Sequence, residues 1–182
     1  DTTPTISGTT DAAVGSTVTL TITQGANTYT TTATVLAGGT YSAPAPTALV
    51  DGPYSVDASV TDTAGNTGTA SDAGSIDSTA PTVTVAAPDN TNDTTPTISG
   101  TTDAAVGSTV TLTITQGANT YTTTATVLAG GTYSAPAPTA LVDGPYSVDA
   151  SVTDTAGNTG TASDAGSIDS TAPTVTVAAP DN

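Results

Sequence analysis

Ile76-Asp77-Ser78-Thr79-Ala80-Pro81 decides how the chain is read, because it returns unchanged as Ile168 to Pro173. Runs that alternate at period two lie on both sides of the first copy, and Pro81 opens the second of them. We read the stretch as the joint between two copies of one β-domain. Working outward, Asp1-Thr-Thr-Pro-Thr-Ile-Ser-Gly returns at Asp93, and every later residue matches through Asn90 and Asn182, a period of 92 residues. That period is too long for a solenoid unit and suits one small sandwich domain. The pattern starts and stops mid-period, so the chain is expected to be a segment of a longer array.

Within one period the alternation marks half-buried strands. The expected strands of the complete copy are Pro81 to Ala87, Thr95 to Gly100, Thr109 to Thr115, Tyr121 to Val127, a short one from Gly130 through Tyr133, Pro145 to Thr153, and Gly160 to Ile168. Val110, Leu112 and Ile114 should face inward with threonines outward. The fifth strand should halt before Pro136 and Pro138. Short strands at regular spacing with no helical period predict an all-β chain of tandem immunoglobulin-like Greek-key sandwiches, seven strands each, arranged end to end. Tyr146, near the start of the sixth strand in Asp143-Gly-Pro-Tyr146, suits a tyrosine corner. In this frame residues 79–170 form a complete repeat and residues 1–78 a repeat lacking its first strand. Residues 171–182 supply the first strand of a following repeat. An open sheet edge is then expected in residues 1–78, a liability unless another molecule's tail fills it.

The 182 residues include no Lys, Arg, His or Glu, so the formal charge of −16 comes from Asp alone. No ion pair between side chains can form. Each carboxylate must be solvated, hydrogen-bonded to the protein, or neutralised by cations from solution. Nucleic acid is excluded as a partner, since phosphate binding needs Lys or Arg. An anionic membrane surface is disfavoured for the same reason, and no apolar run approaches the length of a membrane span. The chain has no Cys, hence neither disulfides nor thiolate chemistry. Phe, Trp and Met are also missing. That places the composition near that of disordered chains, but the Thr-rich period-two patterning argues for strands.

The strand order places several Asp residues together. The loop after the second strand holds Asp103, and the loop after the sixth is Asp154-Thr-Ala-Gly-Asn158. Both should lie near linker residue Asp77, with Asp1 from the other copy. Like charges about 4 Å apart repel by about 4 kcal/mol at an effective dielectric constant near 20. A hard dication with oxygen ligands removes that cost, and Ca²⁺ takes about six to eight oxygens in flexible geometry. Zinc is a poor fit without His or Cys, and Mg²⁺ demands stricter octahedral geometry. The candidate metal ligands are Asp1, Asp11, Asp62, Asp77, Asp89, Asp93, Asp103, Asp154, Asp169 and Asp181. Any one of them could equally be a turn residue accepting from its own backbone. Asp51 and Asp143 are expected to serve the corner turn, Asp57 and Asp149 to solvate an outward strand face, and Asp72 and Asp164 stay unassigned.

These residues carry a resemblance. Val-Thr-Asp62-Thr-Ala-Gly-Asn66, then Ile-Asp77-Ser-Thr-Ala-Pro81, then Asn92-Asp93-Thr-Thr-Pro-Thr-Ile-Ser-Gly-Thr, resembles the bacterial immunoglobulin-like extender repeats of giant RTX-type, type I secreted surface adhesins. The resemblance covers the whole chain. It implies repeats that bind Ca²⁺ at and near interdomain linkers and hold a distal ligand-binding domain away from the bacterial cell, outside it. It also implies ligands at Asp62, Asp77, Asp93 and their copies.

Two functional classes follow. One is a calcium-stiffened spacer whose partners are identical neighbouring repeats in the same chain, with no small-molecule substrate. The other is a calcium-dependent carbohydrate- or surface-binding module, which needs an exposed aromatic or polar pocket. An enzyme is disfavoured, because a nucleophilic Ser or Thr has no evident base without His, Cys, Lys or Glu.

Overall fold

Alternating threonine and aliphatic residues build the sheets. In Thr-Val-Thr-Leu-Thr-Ile-Thr-Gln the threonines face outward, while Val18, Leu20 and Ile22, and equally Val110, Leu112 and Ile114, are buried to 1% exposure or less. β-branched Thr suits such a half-exposed pleated surface. The computed structural model describes residues 1–179, so Asp181 lies outside the described residues. The chain divides into two units, Asp1–Thr79 and Ala80–Asn182.

In order, the first unit contains β1 (Thr5–Thr9), β2 (Thr17–Gln24), β3 (Asn27–Thr34), β4 (Thr40–Pro44), β5 (Gly52–Thr61) and β6 (Thr67–Ile76). The second contains β7 (Val83–Ala86), β8 (Thr97–Thr102), β9 (Thr109–Gln116), β10 (Asn119–Thr126), β11 (Thr132–Pro136), β12 (Gly144–Thr153) and β13 (Thr159–Ile168). The first unit pairs a four-stranded sheet, β3-β2-β5-β6, with the two-stranded β1-β4. The second pairs β10-β9-β12-β13 with the three-stranded β11-β8-β7. All ladders are antiparallel, and each unit has its own core between its two sheets. This is an all-β, immunoglobulin-like sandwich architecture.

The segment entering the second unit serves both of its sheets. β7 pairs with β8, and then the chain crosses to lie along the end of β13. There Ser167 N–H donates to Pro88 O at 3.2 Å, and Asp169 N–H donates to Thr91 O at 2.9 Å. Strands that change sheets in this way close the corners of a sandwich. Asp164 fixes the crossing point by accepting from Ala87 N–H at 2.8 Å, which assigns a role to a residue the sequence leaves open.

Two expectations need correction. The fifth strand does not stop at Tyr133 but runs through Pro136, because β11 is an edge strand, where a missing N–H breaks no ladder. Tyr146 does not form a tyrosine corner. Its hydroxyl donates to Pro88 O at 2.9 Å, tying the sheet-crossing segment instead of backbone a few residues upstream.

Tyrosine rings also cover glycines on the neighbouring strand. Tyr133 stands opposite Gly100 and Tyr146 opposite Gly166, as Tyr41 does opposite Gly8 and Tyr54 opposite Gly74. A Cβ at any of these glycines would come within 2.6 Å of its tyrosine ring or hydroxyl.

Burial, followed by the charges of Asp89 and Asp164, pushes the Tyr146 hydroxyl up to about 12. A raised folded-state value gives stability that is complete below the ordinary tyrosine value near 10 and lost as pH rises through about 12. Tyr146→Phe is therefore expected to cost about 1 kcal/mol at neutral pH through the lost hydrogen bond. It should also flatten the decline in stability between about pH 10 and 12, measured by urea titration of each variant at both ends of that window. An unchanged alkaline slope in the variant would refute the assignment.

Candidate functional site

Antiparallel order sorts the carboxylates to the ends of each unit. In the first, Asp11 follows β1 and Asp62 lies in the β5–β6 turn at one end, while Asp1, Asp51 and Asp77 lie at the other. In the second, Asp103 follows β8 and Asp154 lies in the β12–β13 turn at one end. Asp89, Asp93, Asp143 and Asp169 lie at the opposite end. Asp57 and Asp149 are exposed on β5 and β12, as an outward strand face requires.

The best-formed loop is Asp-Thr-Ala-Gly-Asn. One carboxylate oxygen of Asp154 accepts from Ala156 and Asn158 N–H, each at 2.9 Å, and the other accepts from the Asn158 amide at 2.9 Å. Asp62 makes the same contacts with Ala64 and Asn66. Gly65 and Gly157, at φ of +91° and +95°, give the turn the left-handed residue it needs. Hydrogen bonds from the Asn side chains, then from backbone N–H groups, hold both carboxyls below the ordinary range. A carboxylate has about four acceptor sites, so the singly bonded oxygen keeps room for a further partner.

A second pair was missed by sequence reasoning. Asp51 does not serve the corner turn. It accepts from Ser78 N–H at 2.8 Å, from the Ser78 hydroxyl at 2.6 Å, and from the Thr79 hydroxyl. Asp143 does the same for Ser170 and Thr171. The side-chain hydrogen bonds from these Ser and Thr hydroxyls lower both carboxyls. These bonds tie each Ser-Thr step after the last strand to the start of β5 or β12. The only sequence signal was a pair of hydroxyls 27 and 28 residues downstream, which no local motif marks.

The remaining candidates make simpler contacts. Asp1 and Asp93 accept from the N–H two residues on, Thr3 at 2.8 Å and Thr95 at 2.9 Å. Asp77 accepts from Thr79 N–H at 3.2 Å and Asp169 from Thr171 N–H at 3.3 Å. Asp103 accepts from Thr82 N–H at 2.8 Å, anchoring the residue before β7, and Asp89 from the Ser167 hydroxyl at 3.2 Å. Asp11 is exposed in the bend after β1. Among the described residues, no three carboxylates form a group that could hold a metal ion. The donor chemistry, all hard oxygen, fits Ca²⁺. The neutral ligands would have to come from Asn side chains, backbone carbonyls or water. Among the described residues no helix is long and apolar enough to cross a membrane.

Comparison with solved structures agrees with this architecture. The chain is similar to a tetra-tandem repeat in the extending region of a large adhesion protein, at 41% identity and a TM-score of 0.50, over 94% of this chain and 46% of that one. It is also similar to a protein described for host cell surface retention of a 1.5-MDa bacterial ice-binding adhesin. That match has 33% identity and a TM-score of 0.46, over 92% of this chain and 58% of the other. A third, a Ca²⁺-stabilized adhesin of an Antarctic bacterium that binds ice, has 34% identity and a TM-score of 0.46, over 91% and 43%. The chain thus spans about half the length of the structures it matches. No curated protein sequence matches it. The bacterial Ig-like domain family matches residues 1–78 and again residues 73–170, so two matches to one domain type together span residues 1–170. The chain belongs to the bacterial Ig-like domain family.

Proposed function

We propose that the chain is a non-enzymatic spacer segment of a large bacterial surface adhesin, placed outside the cell and stiffened by Ca²⁺ bound at the domain ends. The carrying observation is the 41% identity, over 94% of the chain, to tandem repeats from the extending region of a large adhesion protein. Its working partners are then the neighbouring repeats of the same polypeptide, and its role is to set the distance of a distal ligand-binding domain from the cell. The composition supports calcium: a charge of −16 with no basic side chain leaves the carboxylates dependent on cations from solution. The alternative, a sugar- or surface-binding module, needs an exposed aromatic or polar pocket. In the second unit Tyr133 and Tyr146 are buried to 2% and 3% exposure, and Tyr121 is half-buried, which favours the spacer.

Titration calorimetry, melting curves and small-angle scattering with calcium and with excess chelator test the reading together. Calcium is expected to release or absorb heat on binding, raise the melting temperature and lengthen the particle. Saturation to 100 times Kd adds about 2.7 kcal/mol to the folded state. Asp77→Asn is the cleaner probe, because Asp154 also organises its own turn. It should abolish the lengthening while each domain still melts cooperatively. Absence of a binding heat, with no change in melting or length, would sink the calcium reading.

A further inference from the structure

The second unit keeps its carboxylates off one flank. Residues 104–142 contain no Asp, and they build β9, β10 and β11 with their connecting loops. β10 is an edge of the four-stranded sheet and β11 an edge of the three-stranded sheet, and the two run close together on that flank. The aliphatic side chains left exposed between β8 and β12, Val106 at 68%, Leu128 at 55% and Val142 at 69%, belong to the same uncharged stretch. The first unit repeats the arrangement, with no Asp in residues 12–50 and β3 as the matching edge.

Sheet edges are normally guarded by a charge, a proline, a bulge, a covering segment or short length. β11 has five residues and ends on Pro136, β7 has four, and the segment after β7 is bonded along the end of β13. β10 has none of these guards. Its eight residues, Asn-Thr-Tyr-Thr-Thr-Thr-Ala-Thr, pair in unbroken register with β9 alone. Val127, which continues β10, turns its backbone groups to the β9 side: its N–H donates to Ser108 O at 2.9 Å and its carbonyl accepts from Gly107 N–H at 2.8 Å. Alternation back from Val127 points the N–H and C=O groups of Ala125, Thr123 and Tyr121 at β9, and those of Thr120, Thr122, Thr124 and Thr126 at the open edge. The side chains of those four threonines are exposed as well.

We propose that this edge is a homotypic interface, in which β10 of one copy pairs antiparallel with β10, or its twin β3, of a second copy. The occupant follows from charge. At a net charge of −16 with no Lys, Arg or His, two copies repel wherever carboxylates meet, and neither has a basic side chain to offer the other. A basic partner protein would be drawn to the Asp-bearing surfaces instead. Only an uncharged edge lets like molecules approach without that cost. Centred on Thr123, the pairing sets Thr122 against Thr124 of the second copy and Thr120 against Thr126. Each outward residue then exchanges both of its backbone bonds, and threonine stands opposite threonine, a favourable cross-strand pair. The contact is isologous, with backbone pairing supplying the affinity. It joins spacers side by side, a role separate from holding a distal domain at a distance and independent of whether the domain ends bind calcium.

Sedimentation velocity of the 182-residue chain over a concentration series, in chelator as well as in calcium, reads the association, and residue-resolved amide exchange locates it. Wild type is expected to self-associate, more strongly at higher salt because the carboxylates are then screened. Exchange should slow at Thr120, Thr122, Thr124 and Thr126 and at their twins in β3, while Tyr121, Thr123 and Ala125, already bonded to β9, change little. Thr32→Pro combined with Thr124→Pro removes one outward donor from each edge and spares the ladders with β2 and β9, since edges tolerate proline. Association should weaken about tenfold or more. Thr30→Asp combined with Thr122→Asp keeps every backbone donor but places like charges on the edge, and should leave only monomer with an unchanged circular-dichroism spectrum. Wild-type protein that stays monomeric at its highest soluble concentration overturns the proposal. So does association that the prolines and aspartates leave intact, or one that protects amides elsewhere and not the alternate threonines of β10 and β3.

Discussion

Gly100→Ala is expected to lower the stability of the second unit by about 3 kcal/mol or more, whereas Gly8→Ala, its sequence twin in the first unit, costs about 1 kcal/mol or less. A Cβ on Gly100 would sit 2.0 Å from the Thr84 carbonyl oxygen and 2.5 Å from the Tyr133 hydroxyl. The tyrosine can swing, but the carbonyl belongs to the β7 backbone and cannot retreat without breaking its ladder with β8. The substitution therefore expels β7. A Cβ on Gly8 meets only the Tyr41 side chain, at 2.4 Å from its hydroxyl, and that ring lines a groove of about 410 Å³ beside β1 into which it can turn. Removing a glycine's freedom in the unfolded chain offsets part of the remaining cost. Urea unfolding of each unit, followed by amide exchange so that the two are resolved, reads both numbers from one protein. Equal costs at the two glycines would mean that β7 contributes nothing to the second unit.

That contrast also shows what the sequence could and could not say. Strand positions were legible because their pattern is local: Val110, Leu112 and Ile114 alternate with threonines, and the observed β9 needed no tertiary information to place. The Asp154-Thr-Ala-Gly-Asn158 turn was legible for the same reason, since its acceptor and donors lie within five residues. What failed depends on contacts between distant segments. Asp143 was placed in a corner turn, but its hydroxyl donors, Ser170 and Thr171, come from the far end of the next two strands. Asp164 could not be assigned, because Ala87 reaches it only after the chain has crossed between sheets. Tyr146 looked like a corner residue because position in a strand is local, while its true partner, Pro88, lies 58 residues away. The glycines in Ser-Gly-Thr and Ala-Gly-Ser depend on distant segments in the same way. Only the register, which sets Tyr133 against Gly100 and Tyr146 against Gly166, shows that they make room for rings.

The 182-residue chain is expected to melt in two steps, the first unit ahead of the second. The units have the same residues at corresponding positions, so composition, turn chemistry and core identity cancel in the comparison. The difference left is β7 with its crossing segment. It half-buries Val83 and Val85, brings Ile98 and Val152 to 1% exposure or less, and provides the acceptor for the Tyr146 hydroxyl. At about 25 cal/mol per Å² of apolar surface, and after the cost of ordering a short strand, the net is on the order of 3 kcal/mol. For domains of this size each kcal/mol moves the midpoint by about 4 to 8 °C, so the transitions should separate by roughly 12 to 24 °C. Differential scanning calorimetry gives the two midpoints, and adding a peptide with the sequence of residues 79–87, which carries β7, identifies the steps. Among the described residues β7 lies beside β8 and no strand lies in the matching place beside β1, so the peptide should raise the lower midpoint and leave the upper one in place. A single transition that the peptide does not move would mean that the groove contributes no instability to the first unit, and the physical case for a missing strand would fall with it.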